Sequence, residues 1–216
     1  MPNVRVHNFS ISLDGFGAGP DQDVEDPLGV GGEELHTWAF KTRLGREMLG
    51  QSGGDEGVDN DFWRRGDEGI GATVMGRNMF GPIRGPWGEE EWRGWWGDDP
   101  PYHHPVFVLT HHPHDPIPME GGTTFHFVTD GIESALDQAL AAAGGQDVRI
   151  GGGAATIQQY LAAGLVDDAH IAIAPILLGG GERLFDHLNG AEARYECVEL
   201  VGTPNVVHVR LARKAG

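Results

Sequence analysis

Residues 148–163 read V-R-I-G-G-G-A-A-T-I-Q-Q-Y-L-A-A. A short apolar strand runs into three glycines, and a helix follows at once. Glycine lets a backbone approach an anion closely, and the first turn of a helix offers N–H groups that have no partner within the helix. The stretch therefore describes a place for a phosphate. It departs from the ordinary dinucleotide fingerprint, because Thr156 stands where the third glycine of that pattern belongs. Asp167 and Asp168 precede the next strand instead of ending it, and no Lys-Ser/Thr follows the glycines as in a nucleotide triphosphate loop. Two readings of Gly151, Gly152, Gly153, Ala154 and Thr156 stand at this point, an anion site and a tight structural turn.

Outward from that stretch, the chain alternates strand and helix. Towards the N-terminus, Val4–Leu13 reads as a first strand broken by Asp14-Gly15, and residues 17–32 as a mobile loop. A short helical stripe runs over Leu35, Trp38, Ala39 and Phe40, and a further helix over Asp61–Asp67 has Phe62 and Trp63 facing inward. Ile70–Met75 is a strand followed by Gly76-Arg77-Asn78 and a short helix around Met79–Phe80. Val106–Thr110 and Phe125–Val128 are strands, and Asp130 is placed to cap a helix carrying Ile132, Leu136 and Leu140. Beyond Ala163, Gly164 suits a left-handed C-cap, Ala169–Leu178 is a long apolar strand, and Tyr195–Val201 pairs with Val206–Ala212. The pattern predicts an α/β fold: a mixed, mostly parallel sheet with helices on both faces and a C-terminal antiparallel pair.

The 216 residues carry 15 Lys and Arg against 32 Asp and Glu, a formal net charge of −17. Residues 21–68 hold 13 acids and 5 bases. Such a balance argues against nucleic acid and against anionic membranes as partners. With no apolar run of spanning length and no signal-peptide pattern at the N-terminus, a cytoplasmic location is expected. Cys197 is the one cysteine, so an intrachain disulfide is excluded; its strand position predicts a small buried hydrophobe. Residues 84–104 concentrate Trp87, Trp92, Trp95 and Trp96 among glycines, acids and prolines, as half of a ligand pocket or as a large packed loop.

Three further places bear on chemistry. Gly76 permits close approach, Arg77 can pair with a phosphate, and Asn78 can cap a helix. Thr110, His111 and His112 follow a buried strand, where open sheets usually bind ligands. His103, His104 and His114 lie near them, but no carboxylate or cysteine falls at a ligand spacing, so no metal is expected. Asp14 sits beside Gly15 as a turn cap or a pocket acid, and Glu34 and His36 can place an ionisable group over a cleft from the first helix. Neither Gly-x-Ser-x-Gly nor His-Glu-x-x-His occurs.

Ser12-Leu13-Asp14-Gly15, Val74-Met75-Gly76-Arg77, Val108-Leu109-Thr110, Gly151-Gly152-Gly153 with Thr156-Ile157, and Ile173–Gly181, in this order and spacing, resemble the dihydrofolate-reductase-like superfamily. The closer likeness is to the reductase domain of riboflavin biosynthesis, the C-terminal half of a bifunctional deaminase-reductase. The resemblance implies a single reductase-like domain over residues 1–216 that transfers a hydride from NADPH, with NADH admissible, to a C=N or C=O of a small pteridine- or pyrimidine-like substrate. By that resemblance Gly76, Arg77, Asn78, Gly151, Gly152, Gly153, Ala154 and Thr156 hold the cofactor's phosphates, and Thr110, His111 and His112 meet its adenosine side. The family often supplies Arg or Lys at that last place, so a weaker preference for NADPH is expected here. Loop 14–19 would close beside the nicotinamide, Asp14, Glu34 and His36 are the candidate catalytic groups, and Trp38 and Trp87 face the substrate. With a single cysteine, the zinc-binding deaminase half is not expected within these residues. A homodimer flanked by strand 169–178 and the C-terminal pair is implied as well. Two alternatives share the glycine turns: a non-catalytic cofactor-binding module, and a different small-molecule enzyme on the same fold.

Overall fold

The computed structural model describes residues 2–81, 85–88 and 92–215. The chain opens with β1 (Val4–Ser12), which turns at Asp14-Gly15 into the short β2 (Phe16–Ala18). A 3-10 turn over Gly32–His36 leads into α1 (Thr37–Lys41), α2 (Arg43–Met48) and α3 (Val58–Asp67). Then come β3 (Ile70–Gly76), α4 (Arg77–Phe80), β4 (Pro105–Leu109), β5 (Ile117–Pro118) and β6 (Thr124–Val128). The C-terminal part holds α5 (Ile132–Ala142), β7 (Asp147–Gly152), α6 (Ala154–Ala163), β8 (Asp168–Ala174), β9 (Glu182–Arg183), β10 (Tyr195–Gly202) and β11 (Val207–Arg213).

Nine of these strands form one sheet in the order β10-β11-β8-β1-β7-β3-β4-β6-β5, and β2 pairs with β9 beside it. The central pairs, β8·β1, β1·β7, β7·β3, β3·β4 and β4·β6, are parallel, and β10·β11 and β11·β8 are antiparallel. This is the α/β architecture that the alternation predicts. Parallel neighbours need a crossover, and helices supply it on both faces. On one face Ile157, Tyr160 and Leu161 of α6 and Ala135, Leu136 and Ala139 of α5 pack on Val74, Ile150 and Ile171. On the other, Trp38 and Trp63 pack on Ala172 and Val206.

The second face also buries two imidazoles. The backbone N–H and the Oδ1 of Asn8 each lie 3.2 Å from His170 Nδ1, and His170 Nε2 faces His208 Nδ1 at 3.0 Å. His208 Nε2 in turn meets Asp59 Oδ1 at 3.0 Å. Phe62 stacks on both rings. Burial pushes both imidazoles below their ordinary range, which favours their neutral forms.

Several expectations shift. β8 ends at Ala174, short of Leu178, because Pro175 lacks the N–H that a ladder needs. Loop 17–32 contributes part of the β2–β9 ribbon. Gly131, with φ at 93°, is the N-cap of α5 and no side chain caps it, so Asp130 does not take that role. Cys197 is exposed instead of buried, because β10 is the edge strand and most of its residues face solvent. Of the tryptophan-rich stretch, residues 84 and 89–91 lie outside the described residues; Trp87, Trp92 and Trp96 pack against a core of Met75, Phe80, Val106 and Phe125. Trp92 spends its N–H on the Phe80 carbonyl at 2.9 Å. No helix among the described residues is long and apolar enough to cross a membrane.

Candidate functional site

The C-terminal ends of β3, β4 and β6 and the N-termini of α4, α5 and α6 enclose a cleft of about 340 Å³. Its walls include Gly76, Arg77 and Asn78 after β3 and Thr110, His111 and His112 after β4, two of the strand-end turns that the sequence singles out. Strand ends of a parallel sheet gather here because each crossover helix restarts at this edge, with its free N–H groups turned the same way.

Glycine is required twice where the turns meet. A Cβ on Gly76 would collide with Thr156 Oγ1, so the absence of a side chain lets the first turn of α6 lie against the end of β3. Gly152 has φ at +135°, a conformation L side chains rarely adopt, and a Cβ there would sit 3.1 Å from the Phe9 ring and 3.3 Å from Met79 Sδ. The turn after β7 is thereby pressed onto the sheet, and from it Gly153, Ala155 and Thr156 reach the cleft. Gly151, Gly152 and Ala154 do not line it: Gly151 faces Thr73 and Met79, and Ala154 is buried.

Arg77 dominates the electrostatics. Its Nε, Nη1 and Nη2 are buried and find no hydrogen-bond partner among the described residues. The guanidinium lies over Trp87, with Cζ 3.1 Å from the ring centroid. Burial without a counter-charge pushes its pKa down to about 10, still well above neutrality, so the cation persists. Each buried donor left unpaired costs about 1–3 kcal/mol. Face-on contact with an aromatic ring returns only part of that, about 0.5–2 kcal/mol. An anion in the cleft would supply the missing acceptors if the side chains over the guanidinium, Trp87 among them, moved aside.

Trp87 itself is a support. Its Nε1 donates to the His112 carbonyl at 3.0 Å and its ring packs edge-on against Phe127, so it holds Arg77 and the β4 turn together. Thr110 Oγ accepts from the His112 N–H at 3.1 Å and donates to the His112 carbonyl at 3.3 Å, which shapes the turn that presents His111 and His112. Asn78 lines the cleft but caps nothing, since Gly76 is the N-cap of α4.

The candidate catalytic groups lie elsewhere. Asp14 is used up by its own loop: Oδ1 accepts from Ser12 Oγ and from the Leu178 N–H at 3.1 Å, and Oδ2 from the Gly179 N–H at 2.7 Å. The Ser12 hydroxyl and these backbone donors hold its pKa down at about 2. It ties the end of β1 to the segment after β8 as a turn anchor. Glu34 is exposed on its 3-10 turn and does not line the cleft. His36 is held by burial at a pKa of about 4, and its Nδ1 is buried with no partner among the described residues. Trp38, expected to meet substrate, is 2 % exposed in the core and donates from Nε1 to Ser10 Oγ at 3.0 Å. A large amphipathic ring on a short helical stripe buries as readily as it binds.

Thr129, Gly131, Ile132, Gln159 and Glu182 also line the cleft and were not anticipated. Thr129-Asp130-Gly131 repeats the strand-end glycine pattern of the other turns and could have been found by it. Glu182 carries no local signal, because a distant segment delivers it through the β2–β9 ribbon. Among the described residues no group of three His, Cys, Asp or Glu is placed to hold a metal ion.

The family model of the RibD C-terminal domain matches residues 4–209. The chain is similar to a provisionally assigned riboflavin biosynthesis protein of Shewanella sp. PV-4, at 24% identity and TM-score 0.60, with 100% of both chains covered. It is similar to a pyrimidine reductase-like protein of Corynebacterium diphtheriae, at 16% identity and TM-score 0.54, covering 100% of this chain and 93% of that one. RibD of Acinetobacter baumannii matches at 18% identity and TM-score 0.58, and there the chain accounts for 59% of the longer protein. At these identities the structural likeness establishes the fold. No curated protein matches the sequence.

Proposed function

The chain belongs to the RibD C-terminal domain family, and from that premise we propose that it is an NADPH-dependent reductase acting on a C=N or C=O carbon of a small pteridine- or pyrimidine-like substrate, with NADH as an admissible donor. One observation carries the reading: Arg77 holds three buried, unpartnered donors in a cleft where helix N-termini converge. Such a cleft fits a diphosphate.

In this reading Arg77 neutralises phosphate charge, and the N–H groups opening α5 and α6 add donors beside it. Gly153 lets the backbone come close, and Thr110, His111 and His112 form the adenosine end. When bound, a reduced nicotinamide supplies the hydride. The protein orients the partners and keeps water from the reacting carbon. The proton that follows comes from solvent: Asp14 is ionised and engaged, and His36, with a pKa of about 4, is neutral at physiological pH. A homodimer belongs to the same proposal, supported by Val198 and Leu200, which stand 49% and 66% exposed on the edge strand β10.

Equilibrium titration with NADPH and NADH tests the premise, and loss of reduced-nicotinamide absorbance with pyrimidine and pteridine substrates tests the chemistry. Saturable binding with turnover is the expected result. Saturable binding with no turnover across such compounds favours a cofactor-binding module, and no binding of either dinucleotide contradicts the proposal.

A further inference from the structure

The cleft has a second charged wall, and no described residue neutralises it. Glu182 lies opposite the glycine turn, where a Cβ on Gly153 would be 3.6 Å from its Oε2. Its backbone is fixed on every side. β9 pairs with β2, placing Glu182 opposite Ala18. The next residues are held by the Leu184 N–H donating to the Gly15 carbonyl at 3.0 Å and by Gln158 Nε2 donating to the Arg183 carbonyl. Leu184 itself is fully buried. The carboxylate, by contrast, accepts no hydrogen bond and joins no ion pair among the described residues. Arg77 in the same cleft is equally unpaired. The two line one cleft without an ion pair between them, Arg77 against Trp87 and Glu182 beside the glycine turn.

Two charges of opposite sign, neither of them paired among the described residues, give the cleft a polarity. The Arg77 end takes an anion. The Glu182 end repels one and accepts from neutral donors, for which vicinal hydroxyls are suited because a carboxylate has acceptor capacity for both. We infer that Glu182 is a specificity-determining residue that accepts hydrogen bonds from the hydroxyls of a pentose beyond the diphosphate, and so fixes which way the dinucleotide lies in the cleft. The inference rests on the dinucleotide reading above and adds a residue and a ligand group to it. The fixed backbone of β9 makes Glu182 a preset acceptor, so its contribution comes without ordering a loop.

Binding of three probes, ADP, ADP-ribose and NADPH, to the wild-type protein and to Glu182→Ala and Glu182→Gln separates the possibilities. ADP ends at the diphosphate, and the other two continue through the second pentose. Glu182→Ala is expected to weaken ADP-ribose and NADPH by about tenfold or more, the size of a hydrogen bond to a charged group. Glu182→Gln, which keeps one acceptor oxygen, should fall between. ADP binding should hold or tighten, since a negative charge near the phosphates is removed, and the melting temperature should not move. Equal weakening of all three probes, or no weakening of any, overturns the assignment while leaving the dinucleotide reading intact. A wild-type protein that binds none of the three overturns that reading and this assignment with it.

Discussion

Arg77 and Asp14 stand in matching places, each beside a glycine just past the C-terminal end of a parallel core strand, and they use their charge in opposite ways. Asp14 accepts from a hydroxyl and two backbone N–H groups of its own and the adjoining loop. Arg77 has three buried nitrogens and no acceptor for any of them among the described residues. Both side chains follow the same local pattern, so the pattern alone cannot separate them. What separates them is hydrogen-bonding capacity left over after folding. A satisfied group stabilises the fold, and an unsatisfied one is held at a cost that a ligand would relieve.

The contrast can be broken most severely at the junction that creates the cleft. Gly76→Ala forces a Cβ onto Thr156 Oγ1, and it should cost about 1–3 kcal/mol of stability, the usual range for overpacking. Adding Thr156→Ala should recover most of the loss in a thermal-unfolding double-mutant cycle, because the collision is with that hydroxyl. A double variant as unstable as the single one would mean that the close approach is not what Gly76 serves.

Arg77→Ala addresses the unspent charge. Affinity for NADPH should fall by roughly 1.5–3 kcal/mol, the value of a hydrogen bond to a charged partner. Stability of the ligand-free protein should hold or rise, since a desolvated and unpaired cation is removed. A drop in melting temperature without any change in affinity would show that Arg77 is structural after all.

Asp14→Asn sharpens the other side and should be the smallest effect. Its folded pKa, about 2, lies below the ordinary value of 3.8. A carboxylate of this kind contributes stability above its unfolded pKa and loses it as pH falls through the folded one. Urea midpoints measured against pH should therefore show a shallower acid decline for the variant between those two values, while its affinity for NADPH stays at the wild-type level. A marked loss of affinity would return Asp14 to the site.

The sequence made the frame of the cleft readable wherever a single turn carried the information. The α6 boundaries, Ala154–Ala163, and the left-handed Gly164 at its end follow from glycine and apolar periodicity. The strand-end positions of Gly76, Arg77, Thr110 and Gly153 follow from the same signals. Properties that depend on neighbours distant in sequence were not readable. Cys197 has the apolar context of a core strand, but its exposure is set by β10 having no neighbour on one side. Trp38 and Trp87 are alike as residues, yet one fills the core beneath α1 and the other braces an arginine, as their packing partners decide. Glu182 reaches Gly153 only because β9 pairs with β2, a contact that no local pattern encodes.

The central claim is that Arg77 and the glycine turn after β7 grip the two sides of one dinucleotide diphosphate. A crystal structure of the protein with NADPH tests it most directly. The account predicts diphosphate oxygens within hydrogen-bond distance of both the Arg77 guanidinium and the backbone N–H groups opening α6. Density for the dinucleotide elsewhere on the molecule, with Arg77 still unpartnered, would contradict it.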